Sequence, residues 1–249
     1  MPRFFIKPEQ IQDNTVVITG TEAHHITRVL RLGPGATVTL LDGCGNLYLS
    51  QIERTEKGSV HCRVLQCEPA GGEPPVRVVL VQGLAKGERM DYVIQKGTEL
   101  GASEYLPVYC KRSVVRLDAK KEAARRERWQ RIALEASKQC GRGVVPLVHE
   151  PVGWSAALSL IPASALVLVP WEEETACTLK DELKARPRPA AVYILIGPEG
   201  GLEKREVDEA RGCGAIPVTL GPRILRTETA GPAVITMVLY QWGDLGGEA

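Results

Sequence analysis

Two glycine- and proline-rich segments near the C-terminus constrain the fold of this chain most. They are residues 196–202, IGPEGGL, and residues 220–230, LGPRILRTETA. Each follows an apolar run typical of a buried strand, at 191–196 and 215–220, and each leads into a helical pattern. Turns of this kind occur in parallel α/β sheets, whose ligands usually bind where the strands end. We therefore expect the two turns to follow neighbouring strands and to form a ligand pocket.

The common nucleotide-binding motifs are absent from the sequence. No G-x-x-x-x-G-K-[ST] occurs, and no G-x-G-x-x-G opens a helix after the first strand. The fragments at 43–45 and 141–143 are G-x-G without a third glycine. A Rossmann-type or P-loop site is therefore disfavoured.

Two domains are expected from the pattern of elements. Residues 1 to about 68 contain short strand patterns with regular turn signals, which indicate a small β-barrel. Residues 68–75 hold two glycines and three prolines and are interpreted as a linker. Beyond them strand and helix patterns alternate, which predicts an α/β domain with a mostly parallel sheet. The predicted domains are 1–70 and 73–249.

The helical patterns of the second domain lie at about 88–100, 119–140 and 232–242. In the middle one an apolar face recurs at helical spacing, and basic residues occupy the other faces. The last helix has its own apolar face, and Pro232 is expected in its first turn. The apolar positions of that face are Val234, Ile235, Val238, Leu239 and Trp242.

The charge is concentrated rather than global. The chain has a formal net charge of only +1, but residues 111–142 hold eleven Lys or Arg and four acids, a net charge of +7. Nucleic acid would therefore bind a local basic patch. Seven cysteines without a C-x-x-C pair disfavour a zinc or disulfide framework, and we expect no metal. No apolar run reaches membrane length, so we expect a cytoplasmic protein without membrane contact.

The two turns, together with residues 86–91 (KGERMD), 98–101 (TELG) and 135–142 (EASKQCGR), carry a family resemblance. The chain resembles, over nearly its whole length, the uridine N3-methyltransferases of small-subunit (16S) ribosomal RNA, which are SPOUT-class enzymes. The resemblance implies a PUA-like β-barrel followed by an α/β domain whose chain threads a trefoil knot. It also implies S-adenosylmethionine as cofactor, ribosomal RNA or the small ribosomal subunit as partner, and a homodimer that could use the apolar face of the last helix.

The resemblance implies that loop backbone groups and an apolar lining hold the cofactor. The apolar residues of this set could instead be ordinary core residues that contact no cofactor. The implied cofactor-binding residues are Val169, Pro170, Ile196, Gly197, Pro198, Glu199, Gly200, Gly201, Leu220, Gly221, Ile224, Leu225, Thr229 and Ala230.

Methylation of a uracil ring nitrogen requires stabilisation of the negative charge that develops on the ring. Arg226 lies inside the second turn and is our first catalytic candidate, with an ion pair to Glu199 or Glu228 as the alternative. Glu199 and Glu228 are candidate bases on the condition that their pKa values are raised.

Basic residues near loop ends are the RNA-binding candidates, because phosphates can reach them there. The alternative is that these side chains are simply solvated and bind no RNA. A PUA-like segment at 24–31 supplies three more, of which His25 is as readily a packed residue as a contact. The candidates are Arg3, His25, Arg28, Arg31, Lys111, Arg112, Lys138, Gln139 and Arg142.

Two other functions remain open on the sequence. One is a non-catalytic RNA-binding module, although two intact turns argue against a module that needs no cofactor. The other is a SPOUT enzyme that methylates transfer RNA or another nucleotide.

Overall fold

The computed structural model describes residues 1–116 and 118–247 of the 249-residue chain. The chain divides into two compact units. The N-terminal unit comprises Met1–Glu73 and Ser137–Val145, and the C-terminal unit comprises Pro74–Ala136 and the chain from Pro146 onward. The segment Ser137–Val145, which the sequence pattern assigns to the C-terminal domain, thus groups with the N-terminal unit.

The N-terminal unit is built on a six-stranded sheet of order β1-β4-β5-β6-β3-β2, in which β1 pairs with β4 in parallel and the other pairs are antiparallel. In β3, Val16 and Ile18 are buried and their neighbours are more exposed, as the alternating pattern predicts. The strands are β1 (Arg3–Phe5), β2 (Ile11–Gln12), β3 (Thr15–Thr19), β4 (Thr37–Leu41), β5 (Asn46–Glu56) and β6 (Ser59–Pro69).

Strand β6 is longer than expected and takes in the first two residues of the predicted linker. Glu68 and Pro69 pair with Leu47 and Asn46 of β5. Pro69 is tolerated because β3 pairs only with Ser59–Arg63 of β6, which leaves Pro69 at an edge of the sheet. Between β3 and β4 the chain forms α1 (Gly20–His24) and a π-helical turn at His25–Val29, which the strand-rich pattern does not predict.

The C-terminal unit contains a seven-stranded parallel sheet, which confirms the predicted α/β class. Its order is β10-β8-β7-β12-β11-β13, with β9 beside β8. Strand β11 lies between β12 and β13, so the expectation that the two turns follow neighbouring strands is wrong. The strands are β7 (Arg77–Gly83), β8 (Glu104–Tyr109), β9 (Leu147–Val148), β10 (Val152–Gly153), β11 (Leu166–Pro170), β12 (Ala191–Ile196) and β13 (Ile216–Val218).

In this part of the chain, the long predicted helices are present in the structure. The helix expected at 119–140 has those bounds, and Trp129, Ala133 and Ala136 of its apolar face are buried, whereas Cys140 is exposed. The helices are α2 (Arg89–Glu99), α3 (Ala119–Cys140), α4 (Trp154–Ser159), α5 (Leu179–Ala185), α6 (Lys204–Gly212) and α7 (Thr227–Trp242).

Helix α7 begins five residues earlier than expected, inside the second glycine turn. The carbonyl of Arg226 accepts hydrogen bonds from the amides of Thr229 and Ala230, so the helix starts there and Pro232 lies beyond its first turn. The apolar face named above is buried within the unit, with Val234 and Leu239 at 0% exposure. That face cannot form a dimer interface, because it packs inside its own subunit.

Candidate active site

A cavity of about 440 Å³ lies at the carboxyl ends of β11 and β12. Its wall is formed by the turn after β12, the second glycine turn, the start of α7 and Arg89 at the start of α2. The lining residues are Arg89, Pro170, Glu172, Ile196, Gly197, Pro198, Glu199, Gly200, Gly201, Leu202, Ile224, Leu225, Arg226, Thr227, Glu228 and Ala230.

A second cavity of about 390 Å³ adjoins the first. Its wall includes Leu220 and Gly221 and shares five residues with the first cavity, namely Pro170, Glu172, Ile224, Leu225 and Ala230. Of the fourteen predicted cofactor-binding residues, twelve line one of the two cavities. Val169 and Thr229 line neither: Val169 is fully buried in the core, and Thr229 is exposed on α7.

The turn after β12 is held in place by side chains from other elements. The Thr227 hydroxyl, at the start of α7, donates a hydrogen bond to the Gly197 carbonyl (2.6 Å) and accepts one from Gln82 Nε2 (2.8 Å). Gln82 is completely buried in β7. The chain Gln82–Thr227–Gly197 therefore joins the sheet, the turn and α7 beneath the cavity.

Glu199 anchors the middle of the same turn. Its Oε1 accepts hydrogen bonds from the Lys86 amide (2.8 Å) and from Arg89 Nη1 (2.9 Å). Burial opposes ionisation of this carboxyl, but the backbone amides of Lys86 and Glu199 and the charges of Arg89 and Lys86 hold its pKa below the ordinary value. A carboxylate stabilised in this way is a poor proton acceptor, so the condition stated above for a base is not met.

The loop after β8 holds the far end of the turn. Arg112 Nη1 donates a hydrogen bond to the Gly200 carbonyl (3.0 Å). Glu206 of α6, only 7% exposed, accepts from the amides of Lys111 and Glu203 (both 2.8 Å). Arg112, predicted as an RNA contact, is thus part of the support of the first turn.

Packing within the protein constrains the glycines of the first turn. A Cβ at Gly197 would lie 2.9 Å from the backbone of Gly201, and one at Gly200 would lie 3.0 Å from Arg112 Cβ. A Cβ at Gly83, which the sequence did not single out, would lie 2.5 Å from Pro198 N. Gly221 differs: its φ is +105°, and the space around it is open.

Arg226 is exposed at the wall of the first cavity, and among the described residues its guanidinium has no ion pair. The ion pairs considered for it are made instead by Arg89, whose Nη1 lies 2.9 Å from Glu199 Oε1 and whose Nε lies 3.5 Å from Glu228 Oε2. Arg89 lies outside both turns, and only the packing of α2 beside α7 reveals its role.

Three of the predicted RNA contacts make structural contacts within the N-terminal unit. Arg142 is 5% exposed, and its Nη2 lies 2.6 Å from Glu73 Oε2. Lys138 Nζ lies 2.5 Å from Glu22 Oε1, and Arg3 Nη1 donates to the Gly141 carbonyl (3.1 Å). Arg142 is predicted to grip a phosphate, but its guanidinium is buried and paired with Glu73.

The remaining candidates are accessible. Arg28 and Arg31 are exposed on and just after the π-helical turn, and neither is in an ion pair with a described residue. His25 is also exposed, with one edge packed against the Phe4 ring at a centroid distance of 5.8 Å. Lys111 and Gln139 are exposed as well.

Two further observations concern the described part of the chain as a whole. No cluster of three or more His, Cys, Asp or Glu side chains there is suited to hold a metal ion. No helix there combines the length and hydrophobicity needed to cross a bilayer.

Comparison with known proteins defines the class first. Residues 72–239 match the family described as "RNA methyltransferase domain", and residues 18–65 match the "RNA methyltransferase PUA domain". Ribosomal RNA small subunit methyltransferase E of Bacillus subtilis is 35% identical over 100% of both chains. The Synechocystis protein of that name is 32% identical over 95% of this chain and 76% of its own.

Solved structures agree with the sequence relatives. The Neisseria gonorrhoeae ribosomal RNA small subunit methyltransferase E bound to S-adenosyl methionine is 37% identical, with a TM-score of 0.87 over 98% of this chain and 99% of its own. A Legionella pneumophila protein in complex with the bound cofactor SAM is 31% identical, with a TM-score of 0.84 over 98% of each chain. This chain belongs to the ribosomal RNA small subunit methyltransferase E family.

Proposed function

We propose that this protein uses S-adenosylmethionine to methylate ring nitrogen 3 of one uridine in 16S ribosomal RNA. The observation that carries the proposal is the pair of adjoining cavities between the two glycine turns, at the carboxyl ends of a parallel sheet. Family membership supports the reaction class and the RNA. The N3 position and the trefoil knot rest on the family resemblance. Because ribosomal RNA is cytoplasmic, so is the proposed reaction.

The cavities suit this cofactor. The volume of each cavity lies within the usual range for small-molecule sites, roughly 300 to 1,000 Å³. Ile196, Ile224 and Leu225 offer apolar surface for an adenine ring, and the backbone of both turns offers amides and carbonyls for its edge. When bound, S-adenosylmethionine supplies an electrophilic methyl group on a sulfonium sulphur.

Arg226 would stabilise the reacting base. Its guanidinium is accessible at the cavity and not already paired with a described residue, so it is available to donate hydrogen bonds to the uracil carbonyl oxygens as N3 loses its proton. Glu199 holds the turn and stays ionised. Glu228, which contacts Arg89 only at 3.5 Å, is the less constrained carboxylate and remains the candidate acceptor for that proton.

RNA docking is assigned to the exposed basic residues. We place Arg28, Arg31 and His25 of the predicted 1–70 domain on the RNA backbone, with Lys111 and Gln139 as further contacts. Catalysis is assigned to the predicted 73–249 domain. Arg3, Lys138 and Arg142 act through the ion pairs and hydrogen bonds described above, which shape the N-terminal unit.

The function is tested with small ribosomal subunits from cells that lack this protein. Incubation with the enzyme and labelled S-adenosylmethionine is expected to place one methyl group on N3 of a single uridine, located by mass mapping. Methylation of transfer RNA instead, or of no RNA, would overturn the proposal.

The role of Arg226 is tested in single-turnover reactions. Arg226→Ala is expected to lower the rate at saturating RNA roughly a hundredfold, the effect of losing one oriented donor, with cofactor and RNA affinity nearly unchanged. Arg188→Ala, at an exposed arginine between α5 and β12, is the control and keeps the wild-type rate. Loss of RNA affinity at an unchanged saturated rate would make Arg226 a docking residue.

A homodimer is part of the proposal, on a different surface from the buried face of α7. Met237 and Tyr240 of that helix are 41% and 72% exposed, and Tyr92 of α2 is 49% exposed. Tyr240→Glu is expected to convert a dimer to a monomer in light scattering. If Tyr240→Glu and the wild type show the same dimeric mass, this face is not the interface.

A further inference from the structure

Glu172 occupies an unusual place in the cavity wall. It follows β11 by two residues, and it lines both cavities. Of the five described residues common to both walls, Glu172 alone carries a charge. One of its carboxylate oxygens is the atom nearest to the position that a Cβ of Gly201 would take, so this carboxylate lies directly against the first turn.

The other carboxylates near the cavities already have partners. Glu199 and Glu228 contact Arg89, and Glu174 accepts hydrogen bonds from the amides of Ala176 and Cys177 and pairs with Arg211. Glu172 has no hydrogen bond or ion pair with any described residue. An unpaired carboxylate at a cavity wall favours a cationic ligand.

The charge of the first cavity points the same way. Its wall holds two arginines, Arg89 and Arg226, and three carboxylates, Glu172, Glu199 and Glu228, a formal net charge of −1. S-adenosylmethionine carries a sulfonium, an ammonium and a carboxylate, roughly +1 in total at neutral pH. Of the three wall carboxylates, Glu172 is the one that has no ion pair with a cation among the described residues.

We propose that Glu172 is the counter-ion of the sulfonium group, an assignment that rests on the proposed function. The sulfonium is the middle atom of the ligand, which joins the adenosyl half to the amino-acid half. Glu172 lies where the two cavities meet. After transfer the sulphur is an uncharged thioether, so the same carboxylate distinguishes the methyl donor from the product, S-adenosylhomocysteine, and favours exchange of product for donor.

The test compares three ligands by calorimetric titration of the full-length protein. S-adenosylmethionine carries the sulfonium charge, sinefungin carries an amine in its place, and S-adenosylhomocysteine has a neutral sulphur. Glu172→Gln keeps the shape and removes the charge. It is expected to weaken the binding of S-adenosylmethionine and of sinefungin roughly two- to fivefold, as for an exposed ion pair, and to leave the binding of S-adenosylhomocysteine unchanged.

The adjacent Glu173 provides the control, because it is exposed and lines neither cavity. Glu173→Gln is expected to bind all three ligands as the wild type does. An equal loss for all three ligands in Glu172→Gln overturns the assignment, since the carboxylate would then contact a part that they share. No change for any ligand overturns it as well. A wild-type protein that binds none of the three refutes the proposed function itself.

Discussion

Replacement of Thr227 by valine tests the support beneath the cavity. Valine keeps the shape of threonine but removes the hydroxyl, and with it the hydrogen bonds to the Gly197 carbonyl (2.6 Å) and from Gln82 Nε2 (2.8 Å). The Gly197 carbonyl lies at the cavity wall, where water can replace the lost donor. Gln82 is 0% exposed, and its Nε2 retains only the Gly83 carbonyl at 3.2 Å.

The cost is therefore that of one buried N–H left without a partner, about 1 to 3 kcal/mol. For a chain of this length that corresponds to a fall in melting temperature of about 2 to 4 °C per kcal/mol. Cofactor affinity is expected to fall as well, because the turn loses its link to the sheet. Urea denaturation and calorimetric titration measure the two effects.

Thr236→Val is the matched control on the same helix. Its hydroxyl is exposed and bonds only to the Pro232 carbonyl of α7 at 2.9 Å, so the expected change is within about 0.5 kcal/mol. If Thr227→Val and Thr236→Val unfold at the same urea concentration and bind S-adenosylmethionine equally, the Gln82–Thr227–Gly197 chain does not support the site.

Two further predictions concern ion pairs. Arg142→Met is expected to destabilise the protein by about 1 to 3 kcal/mol, which is less than for a fully buried pair because Glu73 is 27% exposed. The salt dependence of RNA binding is expected to stay unchanged. A smaller salt dependence in the variant would mean that Arg142 does contact a phosphate. Burial opposes ionisation of Glu104, but hydrogen bonds from His149 and Arg77 lower its pKa, so its contribution to stability is present at neutral pH and is lost as the pH falls through the lowered value. Glu104→Gln should therefore reduce the free energy of unfolding at pH 7 and flatten its decline in acid, and an undiminished acid dependence would contradict this reasoning.

Much of the fold was predictable because its signals are local. Apolar periodicity over 22 residues predicts α3 with its observed bounds, and glycine turns after apolar runs predict the ligand edge of the sheet. Shorter elements such as α1, α4 and β9 were not predicted, because a few residues carry too little periodicity to identify a helix or a strand. Arg226 and most of the residues that line the first cavity lie within the two turns, so the turn motifs alone were enough to name them.

The sequence by itself determined the α/β class, the two turns and the family, because these depend on local pattern and on a long, unusual motif. Tertiary structure alone decided which charges are available. Arg142 follows α3 and Arg226 precedes α7, so both are arginines beside a helix end, yet one is buried against Glu73 and the other is exposed at a cavity. Arg89, Arg112 and Thr227 support the first turn from distant parts of the chain. Pairing between residues about 30 to 110 positions apart depends on how strands and helices pack, which no local pattern of residues records.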